Sequence, residues 1–200
     1  MGRLPRSFFA RDTRLVAREL LGRVLVRVLD DGTRLSGRIV ETEAYCPGDT
    51  AAHAYRGQTA RNAPMFMQPG VAYVYFTYGM HYCFNVVTEQ AGTPAAVLVR
   101  ALEPLEGIDI MRQHRSRNGV APADRDLCRG PARLCRALCI DRAFNGYDML
   151  HVDSRLFIER GHPVPDSRTA ASPRIGVSGD PIARTVEWRW FVADSPFVSR

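Results

Sequence analysis

Residues 73–85 read YVYFTYGMHYCFN, six aromatic rings in thirteen positions divided by a single Gly. Large side chains alternating on either side of Gly79 predict two antiparallel strands meeting at a tight turn. Two strands alone are marginal in water, so this pair demands a larger sheet to join. With a period of two, Tyr73, Tyr75 and Thr77 face one way and Val74, Phe76 and Tyr78 the other. Tyr73, Phe76, Tyr82 and Phe84 are expected as sheet core. Tyr78 and Met80 fall at the hairpin tip, where they cannot be core of their own sheet and must bury in something else.

Other segments supply the rest of the sheet. RVLVRVLD (23–30) runs into Asp31-Gly32, a two-residue hairpin signal, and then TRLSGRIVETEAY (33–45). In the second of these Leu35, Ile39, Glu41, Glu43 and Tyr45 share one parity and are expected on one face if the strand stays regular. Further strands are expected at AAVLVRAL (95–102), around 155–159, and in RIGV (174–177) and VEWRWFV (186–192). Helices are few: one from Asp12 or Thr13 to Leu21 ended by Gly22, one near 106–113, and one near 131–139 opened by Gly130-Pro131. Segments 46–70, 114–126 and 161–173 read as irregular. The expectation is α+β: a single compact domain over residues 1–200, with a curved, mainly antiparallel sheet and peripheral helices.

Composition removes some chemistry. The 27 basic residues are all Arg, against 21 acidic ones, for a net charge of +6. Without Lys no side-chain amine can form a Schiff base, and only the N-terminal amine remains for that route. The mild positive excess fits a nucleic acid or anionic surface, and equally many ordinary enzymes. No apolar run has the length of a membrane span. The opening MGRLPRSFFARD has neither an export-signal core nor a myristoylation pattern, so a cytoplasmic protein with no membrane partner is expected. Five Cys make an odd set and argue against a disulfide framework. Cys128, Cys135 and Cys139 lack paired C-x-x-C spacing, so neither metal nor other cofactor is expected.

Four groups of residues could carry chemistry. Glu41 and Glu43 end an apolar strand; in a dry site their repulsion would favour one ionised carboxylate acting as base, while the plainer alternative is a pair of rim charges. Arg100 interrupts an otherwise buried strand and needs a carboxylate or polar ligand there, unless it emerges into solvent beside Glu103. Tyr78 and Met80 could wedge into a DNA base step, as minor-groove proteins do. His53, Arg56 and Arg61 lie in the irregular segment, where the two arginines could reach phosphate or could simply be solvated.

GRIVETEAY, AAH, QTARN, YVYFTYGMHYCFN, LVRALEPLEG, GPARLC and RIGV come in the order found in the alkyladenine type of 3-methyladenine DNA glycosylases, and the chain resembles that family from about Leu4 to Val198. The resemblance implies a single mixed domain with a protruding β-hairpin. It implies removal of alkylated or deaminated purines, such as 3-methyladenine, hypoxanthine or ethenoadenine, from duplex DNA by a monomer that flips the nucleotide and leaves an abasic site. By resemblance Glu43 is the base that activates water, with Arg100 and the Ile175 carbonyl holding that water. Tyr45, His53 and Tyr75 are the walls of the base pocket, and Asn85 crowds the 2-amino group of guanine. Tyr78 enters the duplex with Met80 beside it. Two other classes compete: a non-catalytic reader of damaged or single-stranded nucleic acid, and a metal-dependent phosphodiesterase built on Glu41, Glu43, Asp49 and His53.

Overall fold

The computed structural model describes residues 2–199. Its strands are β1 (Val24–Val28), β2 (Arg34–Tyr45), β3 (Ala72–Thr77), β4 (His81–Val87), β5 (Ala96–Glu106), β6 (Leu156–Glu159), β7 (Thr169–Ser172) and β8 (Arg189–Val192). Every pairing is antiparallel, in one open sheet ordered β3-β4-β5-β2-β1-β6 with β8 on β2 and β7 on β8. Helices α1 (Arg6–Phe9), α2 (Thr13–Glu19), α3 (Ile108–Arg115), α4 (Asp124–Leu127), α5 (Pro131–Ala137) and α6 (Pro181–Thr185) are short. The α+β class, the antiparallel sheet and the peripheral helices match the sequence expectation. Among the described residues no helix is long and apolar enough to cross a membrane.

β2 is the spine. Its first half pairs with β1, from Val28↔Arg34 to Val24↔Arg38, and its second half exchanges β1 for β8, from Glu41↔Phe191 to Glu43↔Arg189. β5 follows its other edge throughout, but not in constant register. Ile39 lies opposite Leu102 and Glu41 opposite Ala101, which makes Val40 an extra residue on β2; Thr42 then lies opposite Val99, which makes Arg100 the extra residue on β5. Each one-residue slip exchanges the two faces of its strand. Leu35 and Ile39 point into the main core, and beyond the slip it is Thr42 and Ala44 that do so. The single face expected for Leu35, Ile39, Glu41, Glu43 and Tyr45 is therefore broken at Val40. The bulge turns the two carboxylates away from the apolar residues that precede them.

The main core fills the space between the sheet and helices α2, α3 and α5, with Val16, Leu20, Met111 and Leu134 against Ile39, Phe84, Val97, Val99 and Leu102. α2 starts where the sequence indicates: the Asp12 carboxylate accepts from the Arg14 and Leu15 N–H groups. Its chain then turns at Gly22 (φ 82°), where a Cβ would stand 1.9 Å from the His162 carbonyl oxygen. The Arg14 side chain, with the two N–H groups, holds the Asp12 carboxyl down at about 2. A depressed pKa stabilises the fold above the unfolded value, and that stability is lost as pH falls toward the folded one. Asp12→Ala is expected to cost about 1 kcal/mol at neutral pH. The deficit should shrink between about pH 4 and pH 2, where the cap is itself being protonated. Urea midpoints of both chains across that range measure it; a deficit independent of pH would discard the charged cap.

Three local expectations are corrected. RIGV is not a strand but a bend between β7 and α6: Pro173 precedes it with no N–H to offer a ladder, and Gly176 has φ 69°. The loop at 161–173 contains β7. Phe76, expected as core, is 48% exposed, because on that face the main core ends at Phe84 and the half-buried Tyr82. Phe76 packs on Tyr82 alone among the rings, at 5.0 Å between centroids.

Candidate active site

Thr77 pairs with His81, which leaves Tyr78, Gly79 and Met80 as a three-residue tip. Tyr78 and Gly79 both take positive φ, 50° and 67°, so the turn holds a Tyr in the left-handed region that L side chains rarely adopt. The tip is solvent-facing, with Tyr78 85% exposed and Met80 66%. The hairpin thus protrudes as expected and holds a large apolar pair clear of any core.

At the foot of the hairpin, on the sheet face away from the main core, lies a cleft of about 390 Å³. That size suits a small-molecule site. β3 contributes Tyr73, Tyr75 and Thr77, β4 contributes Cys83 and Asn85, and β5 contributes Leu98 and Arg100, each set following the two-residue period of its strand. Tyr45 closes β2, His53 comes from the loop after it, and Ile175 from the bend before α6. The His53 ring meets Tyr75 edge-on at 4.5 Å and its Nδ1 lies 2.8 Å from the Tyr73 hydroxyl. Burial and the Arg61 charge keep the His53 imidazole below its ordinary range. Burial pushes the Tyr73 phenol up to about 12 and Tyr75 higher still. The cleft is therefore walled by neutral rings. The Asn85 amide nitrogen donates to the Tyr73 carbonyl at 3.0 Å, which fixes the side chain against the wall.

Beneath the rings lies a buried ionic layer. Glu41 and Glu43 have fully buried side chains, and Arg100, the bulged residue of β5, reaches both: Nε to Glu41 Oε1 at 2.9 Å and Nη1 to Glu43 Oε1 at 3.1 Å. Burial opposes the Arg100 charge, but Glu43 and Glu41 outweigh it and raise its pKa. The rim-charge and solvent alternatives for these three residues are thereby excluded.

The two carboxylates differ in how many donors hold them and in whether those donors border the cleft. Glu41 accepts from Arg100, from Arg189 Nε at 2.7 Å, and from the Ser199 N–H and hydroxyl at 2.7 and 2.8 Å. Three of these donors fall on Oε1 and the Ser199 N–H alone on Oε2, and of the residues that supply them only Arg100 borders the cleft. Glu43 accepts from two, the Ile175 N–H at 2.7 Å on Oε1 and the Tyr45 hydroxyl at 2.9 Å on Oε2, and pairs in charge with Arg100 Nη1 at 3.1 Å from Oε1. Oε2, which accepts from Tyr45 alone, keeps an acceptor site open. Its three partners line the cleft, so Glu43 stands directly behind that wall.

Sequence reasoning missed a further set of buried charges behind this layer. Arg174 is fully buried, binds both oxygens of Asp49, and donates to the Ala44 and Ala183 carbonyls at 2.9 Å. Its guanidinium stands 4.7 Å from the centre of the Tyr45 ring and 5.2 Å from that of Trp188, a cation stacked behind one wall of the cleft. Arg189 repeats the signal that singled out Arg100, a lone Arg in an apolar strand, and the same reasoning could have found it. Asp49 is thus committed to Arg174, and the quartet Glu41, Glu43, Asp49 and His53 is not gathered into a metal site; among the described residues no group of three or more His, Cys, Asp or Glu is placed to hold a metal ion. Arg56 is exposed, and Arg61 donates to the Phe76 carbonyl at 3.1 Å.

Fold and cleft together define a class: an α+β domain with a ring-lined cleft above a buried carboxylate held by arginine, and an apolar hairpin tip beside it. The chain belongs to the methylpurine-DNA glycosylase family, whose model matches residues 7–196. It is 47% identical over 197 residues to a protein of Carboxydothermus hydrogenoformans provisionally named a 3-methyladenine DNA glycosylase, covering 98% of each chain. It is 48% identical over 213 residues to the DNA-3-methyladenine glycosylase of Mus musculus, covering 99% of this chain and 61% of the mouse protein. A Methanocella arvoryzae protein, also provisionally named a 3-methyladenine DNA glycosylase, is 48% identical over 200 residues, covering 98% and 96%.

Proposed function

We propose that this chain is a monofunctional DNA glycosylase, working as a cytoplasmic monomer, that flips alkylated or deaminated purines out of duplex DNA and hydrolyses the N-glycosidic bond. The observation that carries the proposal is the open acceptor site of Glu43 behind the cleft. A water donating to that site is polarised by the carboxylate. As its oxygen bonds to C1′ of the sugar, the N-glycosidic bond breaks, its electron pair leaves with the purine, and the water proton passes to Glu43. The same carboxylate stabilises positive charge developing on the sugar. Arg100 and the Ile175 N–H occupy Oε1 and so direct the reaction to Oε2. For a cationic base such as 3-methyladenine the leaving group departs neutral, and the Tyr faces attract its charge while it is bound.

A base cannot react inside the stack, so the nucleotide must leave the duplex first. Stacking on rings recovers roughly 1–3 kcal/mol per base, comparable to the stack it gives up. Tyr78, exposed at the tip, is the group of the right size to fill the vacancy. The test is incubation with duplexes containing 3-methyladenine or hypoxanthine, reading free base by chromatography. Free base and an alkali-labile abasic site are expected. Tight binding of the lesion with no base released would favour a reader instead. Tyr78→Ser should slow single-turnover release from duplex about tenfold or more and affect a single-stranded substrate less, since roughly 1–3 kcal/mol of stacking is withdrawn only where a gap must be filled. Equal slowing on both substrates would remove the wedge.

A further inference from the structure

Arg100 meets Glu43 through one nitrogen, Nη1, so the direction of that contact depends on what holds the rest of the guanidinium. Another edge of the group is its fork, where Nε–H and Nη2–H lie side by side in one rigid plane. Nε donates to Glu41 Oε1 at 2.9 Å, and Nη2 donates to the Ser199 hydroxyl oxygen at 3.3 Å. That hydroxyl in turn donates to the same Glu41 Oε1 at 2.8 Å. Glu41 and Ser199 thus form one composite acceptor, and two fixed points hold a planar group in a single orientation. Held at one point, the plane could swing about that bond and carry Nη1 away from Glu43.

Ser199 is brought to this place by contacts on every side. Its N–H donates to Glu41 Oε2 at 2.7 Å, and its carbonyl accepts from Arg189 Nη2 at 3.2 Å. The preceding carbonyl, that of Val198, accepts from Arg129 Nε at 2.8 Å. Phe197 and Val198 pack on Val40, Ala101 and Val192. Val40 is the extra residue of β2, and Ala101 adjoins the extra residue of β5, so the segment after β8 seats on the two slips that shape the ionic layer. The layer itself is balanced in charge, buried Glu41 and Glu43 against buried Arg100 and Arg189. Glu41 is already met by two guanidiniums and a backbone N–H, so what the Ser199 hydroxyl adds is an acceptor for Arg100 Nη2.

We propose that Ser199, together with Glu41, is a positioning residue for the hydrolysis: it fixes the plane of the Arg100 guanidinium so that Nη1 holds Glu43 Oε1 and leaves Oε2 to the water. This role rests on the functional reading above. Neither residue lines the cleft, so both act through Arg100 and touch no substrate.

The test sets single-turnover release of the damaged base beside equilibrium binding of the same lesion duplex. Ser199→Ala keeps the backbone N–H to Glu41 and removes only the hydroxyl. Release should fall about ten- to hundredfold, the scale of a small misplacement of a catalytic group, while lesion binding stays as in the wild type. Ser199→Thr restores a hydroxyl and should recover most of the rate. Ser195→Ala, in the same segment, removes a hydroxyl that accepts from the Phe197 N–H at 3.3 Å and should leave the rate unaltered. Urea midpoints show that the chains compared are folded; where alanine prevents folding, Ser199→Cys, of similar shape with a weaker donor and acceptor, takes its place. A wild-type rate in Ser199→Ala overturns the positioning role. Equal slowing by alanine and threonine, or a parallel loss of lesion binding, does the same. All of these outcomes presuppose an active wild type. A wild-type chain that released no base would instead sink the functional reading, and the positioning role with it.

Discussion

Glu43→Gln is expected to lower release of the damaged base by about 10²–10⁴-fold, the usual range for a positioned general base, while the lesion-containing duplex still binds. The amide is nearly the same shape. Its oxygen can take the place of Oε1 and keep the Arg100 and Ile175 donors. Its nitrogen then takes the place of Oε2, where the open acceptor site becomes a donor that cannot receive a water proton. The rings of the cleft are untouched. Single-turnover release and equilibrium binding must be measured side by side, because a drop in both would report damage to the site and not loss of the base. Turnover near the wild-type rate would dismiss Glu43 from the chemistry.

The second large effect is on stability. Asp49→Ala leaves Arg174 with a buried positive charge and only the Ala44 and Ala183 carbonyls as partners. Removing one partner of a buried ion pair typically costs about 3–5 kcal/mol. Urea unfolding should show stability falling by that amount through the midpoint, at constant slope. A loss of less than about 1 kcal/mol, the scale of a single ordinary hydrogen bond, would show that the carbonyls suffice. Asp49→Asn, which keeps an acceptor, should fall between. Burial opposes the Arg174 charge and Asp49 outweighs it, so the guanidinium stays charged in the wild type. Its departure from behind Tyr45 in the Ala variant is expected to loosen that wall as well.

Much of this arrangement is legible in the residues. Alternation places Tyr73, Tyr75 and Thr77 on one face, and the structure puts all three in the cleft. Gly79 between two alternating runs is enough to locate the tip. Arg100 announces itself as a cation in a strand with no room for one. What alternation cannot convey is register, because a bulge leaves the composition of a strand unchanged; hence it assigns Glu41 and Glu43 the wrong face relative to Leu35 and Ile39. Long-range partners are equally hidden. Ser199 lies 158 positions from Glu41 and Arg174 lies 125 from Asp49, and no local pattern ties such residues together. The strand expected at RIGV fails for a related reason: its apolar character serves the cleft, and the Ile175 N–H is committed to Glu43.

The paired slips at Val40 and Arg100 bear on which insertions and deletions this sheet can survive. Loss of Val40 alone would restore β2 to even alternation, with Thr42 and Ala44 still in phase with Ile39 on the core side and Glu41 and Glu43 on the other, and would leave Arg100 the one unmatched residue of the pair of slips. Loss of Arg100 alone would likewise leave Leu98 and Ala96 facing the cleft, but would take away the cation that joins Glu41 to Glu43. Neither extra residue is paired, so the partners on both sides, Ile39 with Leu102, Glu41 with Ala101 and Thr42 with Val99, survive the loss of either one. The changes this ribbon cannot absorb are one-residue insertions beyond the slips, which would turn Glu43 or Leu98 from the cleft side to the core.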